Sequence, residues 1–263
     1  MITFLLKRYT KLNNISKKEV TCNGRDFFPQ TDQAFTLFSP VHLVTLFIFI
    51  LLIVFIYLVR NVLRQEPYNK IARITLFFIM IFSEISLHIW LYWFDSWTYT
   101  HSLPLHLSSI TILLSAVMLL TKSYSLFEFT FFAGVGSAVQ AMITPDISHY
   151  TFPHYRYVHF FVSHGSTVLA NLFMVFVGGF RPQFKSIWKA FIWLNVYAAF
   201  IFVLNLILGG NYMYISRKPV NPSMIDYFGQ WPWYIIPLEF VALGTFFLLF
   251  LPFWLVKLIS KMR

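Results

Sequence analysis

Cysteine is almost missing from this chain: Cys22 is the only one among 263 residues. A lone thiol excludes an intrachain disulfide and any cysteine-based zinc cluster, and it leaves the redox compartment unread. Charge is scarce too, at 11% of residues against about 25% in an ordinary soluble domain. A fold built for water could not hide 32 phenylalanines behind so thin a polar coat without exposing broad apolar surface. The first 40 residues hold no apolar stretch followed by a small-residue cleavage site. No cleavable signal peptide is therefore expected, and the first spanning segment would serve as the insertion signal. No His-Glu-x-x-His string or other compact ligand motif occurs, and Gly134-Val135-Gly136 lacks the Lys-Ser/Thr of a phosphate loop. Neither a metal nor another cofactor is expected, and the glycine pair reads as a place where helices approach closely.

What the chain has instead is apolar length. Hydrophobic residues make up 58% and aromatic residues 21%. They fall into seven runs, over residues 41–59, 72–94, 103–120, 126–143, 155–177, 187–208 and 233–256. Runs of about 20 residues match the hydrocarbon thickness at about 1.5 Å per residue. The expected fold is all-α, a polytopic bundle of about seven transmembrane helices over residues 36–263, preceded by a polar, basic tail over residues 1–35. Gly178, Gly179 and Pro182 stop the fifth run, Gly209 and Gly210 the sixth, and Pro237 and Pro252 interrupt the seventh.

The formal charge of +10 points to membrane topology and anionic headgroups, not to nucleic acid, because most basic residues flank the apolar runs. With the amino terminus outside, the inner segments carry Arg60, Arg64, Lys70, Arg73, Lys122, Arg181, Lys185, Lys189, Lys257, Lys261 and Arg263. The outer connections carry only Arg156, Arg217 and Lys218. That asymmetry sets the amino terminus out and the carboxyl terminus in. The six basic residues before residue 26 lie too far from the first run to count strongly.

Given that topology, every run offers a polar residue near the outer face: His42, Glu84 with His88, His106 with Ser108 and Ser109, Gln140, His159 with His164, Asn205 and Glu239. Ionisable groups at membrane depth are costly and usually face a cavity, a partner or water. A network that merely fixes helix packing is the plain alternative for any single residue, Gln140 or Asn205 included. Several imidazoles at one level exceed what packing requires. Histidine with a hydroxyl would supply a base and a nucleophile if the two met across helices. His106 and Ser108 are about 200° apart on one helix, so they cannot pair directly, and Ser108 needs a base from elsewhere, with His159 and His164 at compatible depth. Metal binding by histidines with Glu84 or Glu239, and transport through the pocket, are the other chemistries considered; few comparable polar groups continue into the inner half. Asp146, His149 and His154 form a polar loop, Arg217 and Lys218 suit a lipid phosphate, and Trp231, Trp233 and Tyr234 suit interfacial anchors.

Particular strings carry a resemblance. Leu103-Pro104-Leu105-His106-Leu107, the stretch from Gly134 to Ala141 with Pro145-Asp146, and Phe160-Phe161-Val162-Ser163-His164-Gly165 resemble the YwaF-like bacterial integral membrane family. So do Asn211-Tyr212-Met213-Tyr214, Lys218-Pro219 and Gly229-Gln230-Trp231-Pro232-Trp233-Tyr234, over roughly residues 35–255. The family is similar, at superfamily level, to eukaryotic membrane acyltransferases and fatty-acid ester hydrolases that use an intramembrane nucleophile and a histidine. The resemblance implies a multi-pass protein of the bacterial cell membrane, with Ser108 at the nucleophile position and His164 as the histidine. The bacterial pattern often has cysteine where Ser108 stands, which leaves ester chemistry to a serine and a well-placed base.

The expected activity is acyl transfer or lipase-like hydrolysis on a membrane phospholipid or acyl-lipid substrate at the outer leaflet. In it, His106 or Asn205 stabilises the oxyanion and Glu239 orients a histidine. The expected substrate-binding residues are His159, Glu84, His88, Gln140, Asn211, Arg217, Lys218 and Trp233. The competing expectation is a non-enzymatic transporter or lipid- or small-molecule-binding membrane protein with the same one-sided pocket.

Overall fold

Helix starts and stops follow local chemistry throughout the computed structural model, which describes residues 35–147, 150–219 and 224–262. The basic tail over residues 1–34 and His149 lie outside the described residues. Helix α1 (Pro40–Leu58) begins with Ser39 as its cap, whose hydroxyl accepts the His42 N–H at 3.4 Å, and with Pro40 at the first helical position. After a single turn (Arg60–Leu63), α2 (Tyr68–Trp93) returns. Then come α3 (Leu107–Thr121), α4 (Tyr124–Ile143), α5 (Tyr155–Phe176), α6 (Phe184–Leu208) and α7 (Ile235–Met262). Six of the seven are long and apolar enough to cross a membrane, α3 being the short one at 15 residues. The described residues contain no strand.

The seven expected runs therefore correspond to seven helices, with one instructive shift. The third run was expected from residue 103, yet α3 begins at Leu107. Pro104 disfavours helical backbone at the residue before it, and His106 is extended (φ −68°, ψ 151°). The lost turn is replaced by irregular chain that the Tyr212 hydroxyl holds, accepting the Leu103 N–H at 3.0 Å. A second departure lies inside α4, where Thr130–Gly134 widens into a π-turn.

Short connections make successive helices antiparallel. One end of the bundle gathers residues 94–106, 144–147, 150–154, 209–219 and 224–234, and is called the histidine end. The opposite, arginine end gathers residues 59–67, 122–123 and 177–183. Helix α5 is the axis of the bundle: its buried residues face α1, α2, α3 and α4, while α6 and α7 pack on the other side of α4. Helices α1 and α7 are almost wholly exposed and present Phe47, Phe55, Leu58, Phe240 and Leu248 outward, as lipid-facing surfaces should.

Two features set the helix register. Asn171 on α5 is fully buried; its Nδ2 donates to Ser115 Oγ of α3 at 3.1 Å, and its Oδ1 accepts Thr130 Oγ1 of the π-turn at 2.8 Å. One turn nearer the histidine end, Gly134 lets three helices meet. A Cβ there would lie 3.2 Å from Thr111 Cβ and 3.3 Å from Thr167 Cγ2. Small residues at such crossings allow close backbone approach in the absence of a hydrophobic driving force.

At the arginine end, basic residues do more than mark topology. Arg73 donates to the Leu119 carbonyl of α3 at 2.6 Å, Arg64 to Phe176 of α5 at 2.8 Å, and Arg181 to Val175 of α5 at 2.5 Å. Each guanidinium satisfies a terminal carbonyl and sits at the negative end of a helix dipole. Glu128, buried on α4, accepts Ser186 Oγ at 2.5 Å and Lys189 Nζ at 3.0 Å, joining α4 to α6.

Gly165 on α5 carries α1: a Cβ there would lie 1.9 Å from Phe49 Cε1. Gly165→Ala should lower the thermal midpoint in detergent by an amount equivalent to about 1–3 kcal/mol of overpacking, and adding Phe49→Ala should recover part of that loss. For the Glu128–Lys189 pair, Lys189→Met alone should be more destabilising than Lys189→Met combined with Glu128→Leu. The single change strands a buried carboxylate and the double change removes it. Thermal melts of the three proteins decide the order.

Candidate functional site at the histidine end

The site is assembled by loops that lock over the start of α3. Tyr212 is fully buried. Its hydroxyl donates to the Tyr99 carbonyl at 2.8 Å while accepting from Leu103. Burial pushes its phenol above the ordinary range, so it remains a neutral donor. Asn205 at the end of α6 grips the same residue by its backbone, accepting the Tyr212 N–H at 2.8 Å and donating to the Tyr212 carbonyl at 3.0 Å. Asn211 then closes the loop on itself through the Ser216 and Arg217 amides and the Arg217 carbonyl. Tyr234 donates to the Tyr214 carbonyl, tying the start of α7 to this cover.

The imidazoles divide by what their nitrogens do. A carbonyl can only accept, so a ring nitrogen facing one carries the proton, and the neutral ring keeps its lone pair on the other nitrogen. His42 is fully committed: Nε2 donates to Met142 at 2.8 Å and Nδ1 accepts the Phe38 N–H at 3.1 Å, so it fastens α1 to the end of α4. His106 gives its Nδ1 lone pair to the Met213 N–H at 3.3 Å, between the rings of Tyr212 and Tyr214. His154 caps α5 by accepting the Arg156 N–H, and burial followed by the Arg156 cation pushes it below the ordinary histidine range. His88 takes the Trp97 indole N–H on Nδ1 at 3.2 Å.

His159 and His164 are arranged the other way round. His159 Nε2 donates to the Ser83 carbonyl of α2 at 3.1 Å, and His164 Nδ1 donates to the Phe160 carbonyl of its own helix at 2.8 Å. Each neutral ring therefore keeps a lone pair on its remaining nitrogen, Nδ1 in His159 and Nε2 in His164.

Register then fixes levels. Ser115 with Asn171, and Thr111 with Thr167, are both separated by 56 residues on the parallel helices α3 and α5. The same separation relates Ser108 to His164. Each lies seven residues, close to two full turns, from the hydrogen-bonded Ser115–Asn171 pair, so each keeps nearly the same face as its partner there. Continuing the register by those two turns sets Ser108 level with His164. Ser109, about 100° further round α3, faces the Glu84 carboxyl of α2. Glu84 lies 3.8 Å from His88 Nε2, and its Oε1, like Ser83 Oγ, is buried without a hydrogen-bond partner among the described residues.

The triangle of α2, α3 and α5 thus holds Glu84, His88, Ser109 and His159, with Ser108 and His164 assigned to it by register alone. Other expected residues fall elsewhere. Glu239 accepts Asn195 Nδ2 at 2.9 Å between α6 and α7, where its partner is an amide and not a histidine. The Asn205 amide is spent on the Tyr212 backbone and so holds the cover instead of facing an oxyanion. Gln140 and Arg217 are exposed, Trp233 is 70% exposed, and Lys218 lies 3.8 Å from Asp226 in the loop after the cover. Tyr212 and the Ser115–Asn171 pair were missed by sequence reasoning, although the repeated separation of polar residues in two apolar runs was a usable signal. No group of three or more His, Cys, Asp or Glu suited to a metal ion occurs among the described residues.

No curated protein and no solved structure matches this chain. The TMEM164 family matches it over residues 37–250. The match covers all seven helices except the last turns of α7, including the triangle and its cover. This chain is a multi-pass membrane protein and belongs to the TMEM164 family.

Proposed function

We propose that the chain is a membrane enzyme acting on acyl esters of lipids, as an acyltransferase or a lipase-like hydrolase, with Ser108 as nucleophile and His164 as base. The observation that carries this reading is the shared register: Ser108 and His164 stand two turns along the same helix faces from a pair that is directly hydrogen-bonded. Tautomer supports it as well. With Nδ1 donating to Phe160, His164 offers Nε2 as the proton acceptor, which is what activation of a serine hydroxyl requires.

In the proposed reaction Ser108 Oγ attacks the acyl carbonyl as its proton passes to His164 Nε2. The developing oxyanion lies at the start of α3, where the N–H groups of Leu107, Ser108 and Ser109 precede the first intrahelical bond, that of Ile110 to the His106 carbonyl. His106 Nε2–H is a further donor near this level, since its Nδ1 accepts Met213. Collapse breaks the ester bond and the leaving alkoxide takes the proton from His164. The acyl-serine is then released to a second alcohol or to water, and the loop cover that limits water favours transfer. Glu84, His88 and His159 form the wall that a headgroup would meet. The bacterial cell membrane and its phospholipids are the proposed setting.

The test is covalent labelling by an alkyl fluorophosphonate on the purified full-length protein, beside mass spectrometry of products from labelled phospholipids. Ser108→Ala should abolish labelling with an unchanged thermal melt. His164→Gln should slow labelling by about 10²–10⁴-fold, the usual contribution of a general base. Equal labelling of wild type and Ser108→Ala would falsify the nucleophile. Tight phospholipid binding with no product would favour a non-catalytic lipid-binding protein.

A further inference from the structure

One cavity of the molecule lies away from the histidine end. It is a cleft of about 1310 Å³ at the arginine end, bounded by the ends of α1 and α5, the start of α6 and the last turns of α7. Its apolar wall is aromatic: Phe184, Phe250, Phe253 and Trp254 line it. Three cations, Arg181, Lys185 and Lys257, stand along its edge, and no acidic residue lines it.

Neither Lys185 nor Lys257 makes an ion pair among the described residues. The lysine nearby that has a carboxylate is Lys189, one turn further along α6, whose partner is the buried Glu128 of α4. Arg181 uses Nη1 for the Val175 and Phe180 carbonyls, which fixes the guanidinium in the cleft lining. The positive end of the 25-residue α6 opens at the same place, because Gln183 and Phe184, its cap and first residue, both line the cleft. Pro252, also in the wall, donates no N–H, so the α7 carbonyl one turn earlier loses its helical partner.

An apolar cleft with a cationic edge selects its ligand by that chemistry. Aromatic walls suit acyl chains, and three cations at one edge with a helix amino end suit a phosphate at the level of the headgroups. We infer that this cleft is a binding site for one anionic phospholipid, distinct from the catalytic site proposed above and independent of it.

Native mass spectrometry of the purified full-length protein, after exchange into detergent with either dioleoyl phosphatidylglycerol or dioleoyl phosphatidylcholine, tests the site. The phosphatidylglycerol adduct should survive in preference to phosphatidylcholine. Lys185→Gln with Lys257→Gln should weaken it about thirtyfold, from the usual contribution of two surface cations. The charge-matched pair Lys70→Gln with Lys122→Gln, at the same end but outside the cleft, should leave it unchanged. All four side chains are at the surface, so thermal melts should stay at the wild-type value. Equal losses in the two double variants would reduce the effect to diffuse charge and overturn the site. Equal retention of the two lipids would overturn its charge selectivity and with it the proposal. Displacement of phosphatidylglycerol by inorganic phosphate in large excess would assign the cations to a free anion and overturn the lipid.

Discussion

Inside a bilayer no water stands by to solvate a stray polar group, and the Asn171 amide shows how this bundle meets that constraint. Its Nδ2 serves both Ser115 Oγ and the Thr167 carbonyl, and its Oδ1 takes the Thr130 hydroxyl. One side chain thereby joins three helices and fixes α3 against α5 without a slip of even one residue. Individual hydrogen bonds in this setting contribute only about 0.6 kcal/mol on average. Their value here is positional: a slip of one residue would turn Ser115, Thr111 and Ser108 away together, about 100° round the helix. The π-turn at Thr130–Gly134 belongs to the same arrangement, since it brings Thr130 to Asn171 and Gly134 to the two threonines.

The two ends of the bundle answer the same constraint differently. At the arginine end, guanidinium groups on long, flexible stems reach back to the last carbonyls of α3 and α5. At the histidine end, short amides and phenols hold irregular chain in place, with Tyr212 as the keystone and Asn205 gripping it. Cations at helix carboxyl ends satisfy that end electrostatically. Neutral donors hold the irregular chain at the other end.

The helices were legible because apolar runs of about 20 residues have few other readings. The convergence of polar residues toward one end was legible for the same reason, since depth follows from position within a run. What each polar residue does there was not. Whether a histidine is a base or a fastener depends on which backbone group it meets, and those groups come from distant parts of the chain: Met142 for His42, Met213 for His106, Ser83 for His159. Asn205 looked like an oxyanion donor and is a loop clamp, because its partner Tyr212 lies beyond two glycines whose turn periodicity does not describe. Glu239 looked inward on depth alone, whereas helix order places α7 against α4 and α6. Arg64, Arg73 and Arg181 were read only as topology markers, since a carbonyl cap leaves no trace in composition.

The brevity of α3 has a consequence for the membrane itself. Its 15 residues amount to about 22 Å of helix against roughly 30 Å of hydrocarbon. Its first turn therefore starts below the plane where its neighbours end, and residues 102–106, with Ser102 buried and the others half-buried, occupy the missing depth. Such hydrophobic mismatch is relieved by thinning the surrounding lipid or by admitting headgroups deeper than usual. In the proposed reaction an ester linkage would then reach Ser108, in that first turn, by sideways travel through the leaflet, without the lipid being lifted out of it.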